Sequence, residues 1–322
     1  MKTPRLFVVV IALVALCMTG AAHAQTYPSR VVRYIVTDAA GSGTDLLARI
    51  VAEGLTEVFG HQVIVDNRPG AGGNIGAELG ARANADGYTL VQVATTHAVN
   101  ATLYKNLGYN LTRDLTGVSQ LAGGPSVVVV SSNAPAKTVA DFVAAAKAKP
   151  GALTYGSAGT GTCSFLAGEL FRRQAALNMM HVPYKGGPPA VTAAVSGEIS
   201  VYFSPMSAAL PMVRQGRLHA LAVSTPKRLD QLPNVPTVAE AGLPGYQFTC
   251  WYGLMAPAAT PPKVVAAVHA AVVKVLANPN AQKRLADLGF IAVGDKPEEF
   301  TAHVKAQVEA LRPIVRELPS PQ

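Results

Sequence analysis

Val31-Val32-Arg33-Tyr34-Ile35-Val36 runs through Thr37-Asp38 into Ala39-Ala40-Gly41-Ser42-Gly43-Thr44-Asp45, and this stretch decides the fold. Six mostly apolar, largely β-branched residues read as a strand. The glycine-rich run after them reads as a tight turn. Beyond it, Leu46, Leu47, Ile50, Val51 and Leu55 recur with helical spacing and predict a helix over about 46–59. Thr44 or Asp45 is placed to cap its start. The same grammar returns twice. Gln62-Val63-Ile64-Val65 leads through Asn67-Arg68-Pro69-Gly70-Ala71-Gly72-Gly73-Asn74 to a helix near 75–83. Leu153-Thr154-Tyr155 leads through Gly156-Ser157-Ala158-Gly159-Thr160-Gly161-Thr162 to a helix near 164–174.

Further strands are expected at 88–94, 127–130, 200–203 and 220–223. Helices are expected at 139–148, 190–196, 264–277, 281–288 and 297–312. Strands alternating with helices predict an α/β fold with largely parallel sheets. A break at Gly123-Gly124-Pro125, and a fresh strand–helix series from Pro150, divide the chain into two lobes. One takes residues 25–125 plus 250–322, the other residues 126–249. The C-terminal helices do not extend the second series and are expected to fold back on the first lobe.

The N-terminus sets the compartment. Lys2 and Arg5 precede an unbroken apolar run from Leu6 to Met18, and Ala22-His23-Ala24 offers the small-x-small pattern cut by signal peptidase. The run is too short for a comfortable membrane span. Residues 1–24 therefore read as a signal peptide and the remainder as a periplasmic protein. Lys2 and Arg5 supply two of the formal +8 charges. The other basic residues are scattered, with no basic block interleaved with aromatics, which argues against nucleic acid as a partner. The mild positive balance suits capture of small anions. Outside the signal, Cys163 and Cys250 either pair in an oxidising compartment or remain two buried thiols; sequence alone leaves this open. No CxxC, HExxH or clustered His/Asp/Cys spacing suggests a metal site.

In open parallel sheets, ligands bind beyond the carboxyl ends of the strands. Helix starts there offer unpaired N–H groups and the positive end of a dipole. A carboxylate fits such a site without Arg or Lys. Gly41-x-Gly43 and Gly159-x-Gly161 lack the third glycine of a dinucleotide fingerprint, and Ser157 directly follows Gly156, so no nucleophile elbow is present. No cofactor is expected. His97 either lines a cleft or caps the next helix. His181 reads as a satisfied interior histidine, and Trp251 beside Tyr252 as either cleft wall or core. A secreted hydrolase of small esters is the competing class, with Ser157, Ser164 or Cys163 and His97 as its only sketch.

At these loops the chain resembles the Bug family, periplasmic receptors associated with tripartite tricarboxylate transporters. The resemblance is carried by Ala40-Gly41-Ser42-Gly43-Thr44-Asp45, by Asp66-Asn67-Arg68-Pro69-Gly70-Ala71-Gly72-Gly73-Asn74-Ile75-Gly76 and by Ala85-Asp86-Gly87-Tyr88-Thr89-Leu90. It continues in Tyr155-Gly156-Ser157-Ala158-Gly159, His181-Val182-Pro183-Tyr184-Lys185-Gly186 and Leu232-Pro233-Asn234-Val235-Pro236-Thr237. It implies a two-lobed type II periplasmic-binding-protein fold, each lobe a central sheet flanked by helices, closing on a small carboxylate. It further implies membrane transporter subunits as partners, a monomer, and no catalytic residue. A ligand sensor feeding a signalling system is the alternative use of the same binding event.

Mapped onto this chain, the resemblance places Thr37, Asp38, Ser42, Gly43, Thr44 and Asp45 in one ligand loop. Its partner is the loop Ser157–Phe165, with Ser157, Thr160, Gly161, Thr162 and Phe165 as its candidate ligand residues, and Thr95, Thr96, His97 and the segment Ser204–Met206, with Ser204 as its candidate, face the same cleft. Departures fall among these positions. Thr37-Asp38 stand where the family commonly has Pro-Phe, Phe165 where it has His, and Ser204-Pro205 where it has Asp-Asn. They imply a more apolar wall at Phe165, the loss of an acid at Ser204 and a new acid at Asp38. The expected ligand has a carboxylate at one end and an apolar or hydrogen-bond-donating part near Asp38; amino dicarboxylates are disfavoured.

Overall fold

The computed structural model describes residues 27–317. The signal-peptide reading of residues 1–24 lies outside them. The chain opens with β1 (Val32–Val36), α1 (Gly43–Phe59), β2 (Val63–Asn67), α2 (Asn74–Ala81), β3 (Thr89–Ala94) and α3 (Thr95–Leu103). A long strand, β4 (Leu115–Ser131), leads to α4 (Val139–Ala148), β5 (Thr154–Ser157), α5 (Cys163–Gln174), β6 (Met180–Pro183) and α6 (Gly187–Ser196). β7 (Val201–Pro205), α7 (Met206–Arg214) and β8 (Leu218–Val223) follow. The chain returns through β9 (Thr249–Pro257) to α8 (Pro262–Ala277), α9 (Pro279–Asp287), β10 (Ile291–Ala292) and α10 (Pro297–Val315).

The strands form one curled sheet in the order β2-β1-β3-β9-β4-β7-β5-β6, with β8 and β10 also on β4. β1 shows why its sequence is apolar throughout. It lies between parallel β2 and β3, and Val32, Tyr34, Ile35 and Val36 are fully buried. Strands covered on both faces read as apolar runs rather than alternations.

The expectation of largely parallel sheets is corrected. The wings are parallel, β1 with β2 and β3, β5 with β6 and β7. The centre is antiparallel, because β4 and β9 run against each other and against their neighbours. The break expected at Gly123-Gly124-Pro125 is the interior of β4. Pro125 stands opposite Thr249 on the last rung shared with β9, and Ser126 opens the ladder with β7. Its missing N–H thus falls where β4 changes partners, a position where Pro is tolerated. Gly124 carries the Tyr252 ring so close that a Cβ there would sit 2.8 Å from it.

α8 lies on α1 and α10 lies on α3 and β4, so the C-terminal helices do return to the first half of the sheet. The apolar core beneath α1 and α8 joins Leu47, Val51 and Leu55 to Val268, Val272 and Val275. A second core continues through both halves, from Val99 and Leu103 to Phe165, Phe171 and Phe300.

Candidate ligand-binding site

Beyond the carboxyl end of β1, Gly41 takes a left-handed turn (φ 80°) that brings the chain round to α1. Ser42, rather than Thr44 or Asp45, caps that helix, accepting from the Asp45 N–H at 3.2 Å. The buried Asp45 carboxylate turns inward. It accepts from Gly41 N–H (2.8 Å), Arg49 Nε (2.9 Å) and Asn67 Nδ2 (2.9 Å). Burial pushes this carboxyl up, but the bonds from Arg49, Gly41 and Asn67 outweigh it and hold the group below its ordinary range. Thr37 is buried and donates to the Gln92 carbonyl. Gln92 itself is a brace the sequence reading missed. Its amide donates to the Thr44 carbonyl (3.1 Å) and accepts from the Tyr34 hydroxyl (2.6 Å). A lone glutamine within Leu90-Val91-Gln92-Val93 was the available signal.

Asp38 is the exposed acid of this loop. It accepts from Ala39 N–H (2.8 Å) and the Thr44 hydroxyl (3.2 Å). At the head of α3, Thr95 Oγ1 accepts from Trp251 N–H (3.0 Å), Thr96 is half-buried, and His97 Nδ1 accepts from Ala94 N–H (3.0 Å). His97 therefore caps its helix, and burial pulls its imidazole down to about 4, leaving it neutral.

In the second loop, Ser157 is fully buried with Oγ 2.7 Å from His181 Nε2 and accepting from Gly159 N–H (3.1 Å). Thr162 donates to the Gly159 carbonyl (2.6 Å), and Thr160 is exposed. Gly161 (φ 80°) approaches α3 so closely that a Cβ would stand 3.2 Å from Val99. The Phe165 ring lies in the core, 4.8 Å from the His181 ring, so the apolar wall expected of it is not formed by its side chain. Ser204 is fully buried and donates to the Pro205 carbonyl. Trp251 is core, packed on Phe300 and His303, whereas Tyr252 faces a cavity.

That cavity, of about 650 Å³, lies between the two halves of the sheet. Of the predicted residues, Asp38, Ser42, Gly43 and Thr44 line it; the remaining ones are not part of its lining. The second loop contributes Ala158 and Cys163 instead. Of the expected segment Ser204–Met206, Pro205 and Met206 line it and Ser204 does not; of the Trp251-Tyr252 pair, Tyr252 is wall; Ser207, Gly187 and Phe290 were missed. Cys163 and Cys250, both on the wall, are joined in a disulfide with Cα atoms 6.0 Å apart. Four helices present their N-termini here: α1 through Ser42–Thr44, α5 through Cys163, α6 through Gly187 and α7 through Met206. Among the described residues no Lys, Arg or His lines it, and Asp38 is its one charged group. The arrangement can hold an anion on main-chain N–H groups and dipole ends alone. A cavity of about 610 Å³ elsewhere, walled by Tyr104, Lys105, Arg113 and Arg312, includes no residue of either glycine loop.

Residues 47–319 match the family described as "Tripartite tricarboxylate transporter family receptor". The chain belongs to that family. BugT of Bordetella pertussis is 33% identical over 91% of this chain and 91% of its own length. A solved R. palustris protein with adipate is similar at TM-score 0.82 and 33% identity, covering 90% of this chain and 97% of that one. The periplasmic binding protein BugD superposes at TM-score 0.79 with 30% identity, over 90% of this chain and 100% of its own. The Bug resemblance read from the glycine loops and the α/β receptor fold both stand, and the family's members are solute-binding receptors.

Proposed function

We propose that this receptor binds a small organic carboxylate between two lobes, residues 25–125 plus 250–322 and residues 126–249, and passes it to membrane subunits of a tripartite tricarboxylate-type transporter. It works as a periplasmic monomer after removal of residues 1–24, with no catalytic step. The carrying observation is the convergence of four helix N-termini on a cavity free of basic side chains. Adipate in the R. palustris relative supports an organic acid as the ligand. Charge-assisted hydrogen bonds contribute roughly 1.5–3 kcal/mol each. A micromolar dissociation constant needs about 8 kcal/mol net. Roughly four to six such bonds reach it after the costs of ordering and closure. Bending at Pro125-Ser126, where β4 changes partners, would let the halves close on the ligand.

The hydrolase reading finds little support. Cys163 is oxidised, His97 is committed to its helix cap, and the Ser157–His181 pair is absent from the cavity wall. Mass spectrometry of small molecules released from purified protein by denaturation tests the proposal. An organic acid returned unchanged is expected. A protein that releases none, and that no organic acid protects from thermal unfolding, would refute it.

A further inference from the structure

We propose that the groove formed by α3, the loop after it and α10 is a docking surface for an acidic segment of a partner protein, one that offers carboxylates to the rim and one or two apolar side chains to the floor. The groove shares no residue with the ligand cavity, so partner and ligand can be held at once.

The rim is basic. Lys105 and Arg113 from the loop and Lys305 and Arg312 from α10 line a hollow of about 610 Å³, and Glu309 is the one acid in its lining. Among the described residues, neither Lys105 nor Lys305 has an acid within ion-pair distance, and both are exposed. Arg113 is paired with Asp114 (2.6 Å) and Arg312 with Glu309 (2.6 Å), but the two guanidinium side chains are 75% and 39% exposed. Exposed pairs contribute little to stability, so either arginine can exchange its acid for one brought by a partner. Four cations around one hollow repel one another, and carboxylates from outside relieve that repulsion.

The floor is apolar and held in place. Leu111 and Val308 are buried in it, and Ala101, Tyr104 and Leu107 are half-buried. The loop is pinned from behind. Arg82 donates to the Gly108 carbonyl (3.1 Å), and the Tyr109 hydroxyl donates to Asn74 Oδ1 (3.1 Å). Asn110 Oδ1 accepts from the N–H groups of Thr112 (3.1 Å) and Arg113 (3.0 Å). A Cβ on Gly108 would collide with the Glu78 carboxylate, so the loop also rests against α2. A preformed floor lowers the ordering cost of docking. Long exposed cations at its edge steer the encounter. The same shape disfavours other anions. A small-molecule site buries its ligand among a few converging polar groups, whereas these charges stand on the rim in solvent. A flat bilayer would meet the rim and miss the floor. An amphipathic acidic segment uses both, laid in a groove where α10 packs on α3.

The test titrates full-length mature protein into two fluorescein-labelled peptides and follows anisotropy. Both peptides carry leucines at helical spacing; one has glutamate at its polar positions and the other glutamine. The glutamate peptide should bind, more weakly as salt rises, and the glutamine peptide at least about tenfold more weakly. Lys105→Glu combined with Lys305→Glu should weaken the glutamate peptide about tenfold or more. Lys147→Glu combined with Lys149→Glu reverses as much charge at exposed positions in the other half and should leave binding unchanged. Glu309→Gln, which frees Arg312, should tighten it. Melting temperatures near wild type show that the variants are folded. Phosphatidylglycerol vesicles are the competing probe. Vesicle binding that is lost in the Lys105→Glu, Lys305→Glu protein, with no binding of the glutamate peptide, assigns the groove to a membrane and overturns the inference. It also falls if the glutamate peptide does not bind, if both peptides bind alike, or if the two double variants bind alike. Each of these outcomes leaves the carboxylate reading standing, because that reading rests on the other cavity.

Discussion

Replacing Cys163 and Cys250 by serine should destabilise the protein without unfolding it. The bond closes a sequence separation of 87 residues. Loop-closure entropy for a loop of that length is about 15 cal/mol/K, or about 4.6 kcal/mol at 25 °C. Native disulfides usually deliver about 2–4 kcal/mol. Unfolding entropy of about 2.1 cal/mol/K per residue over the described chain makes each kcal/mol worth about 1.6 °C. The double variant should therefore melt about 3–7 °C below the wild type. Urea titration should show the same loss as a lower midpoint, with a steeper slope because the unfolded chain without the cross-link exposes more surface. Wild-type protein in excess reductant should match the variant. Equal midpoints with and without reductant, or two thiols titrating in unreduced, unfolded protein, would sink the argument. The location adds a functional reading, because the bond ties the start of α5 to the strand edge beside Gly124. The variant should release ligand faster, measured by displacement kinetics.

Glu169 is buried, and burial pushes its carboxyl up; Arg172, Arg173 and the Tyr155 hydroxyl more than reverse this and bring it to about 2 from 4.5. The group's folded pKa is depressed, so its stabilisation, about 3 kcal/mol, is full above pH 4.5 and lost as pH falls towards 2. Glu169→Gln should lower the melting temperature at pH 7 and flatten its dependence across that window; an unchanged slope refutes the assignment. His97, held at about 4 against an unfolded 6.5, also lets stability fall on acidification, because the unfolded chain gains the proton first. His97→Asn, which can still cap α3, should remove that part of the loss between pH 6.5 and 4 in thermal scans. Gly43 faces Phe290 and Ser207 across the cavity, with room for a Cβ but little beyond it. Gly43→Ala, whose Cβ fits in ordinary contact, should weaken binding with a melting temperature within ~2 °C of wild type. Normal binding would show that ligands avoid this wall.

The strand–loop–helix grammar around Val31–Val36 carried both wings of the sheet, because parallel strands buried on two faces announce themselves as apolar runs. It did not carry the centre. Gly123-Gly124-Pro125 is a turn signal by composition, and only the change of ladder partners at Pro125 makes it strand. The two glycine loops were legible, and both reach one cavity. Which atoms face it was not. Phe165 turns inward because its helix buries that face against Tyr155 and His181, and Ser204 points into the sheet while Pro205 and Met206 emerge. Asp45 spends its charge on Gly41 and Arg49, a use that becomes visible only once the turn is built. The cysteine pairing depended on β9 arriving beside Gly124, a long-range event with no local mark.

β9 lies between β3 and β4, yet it is made more than a hundred residues after them. A chain emerging amino end first, from a ribosome or a membrane pore, therefore holds an open slot in its sheet until Thr249–Pro257 appear. The early segments cannot seal prematurely into a finished half, and assembly waits for the last quarter of the polypeptide. Such delayed completion, which burdens folding with distant contacts, keeps the nascent molecule threadable for as long as threading lasts.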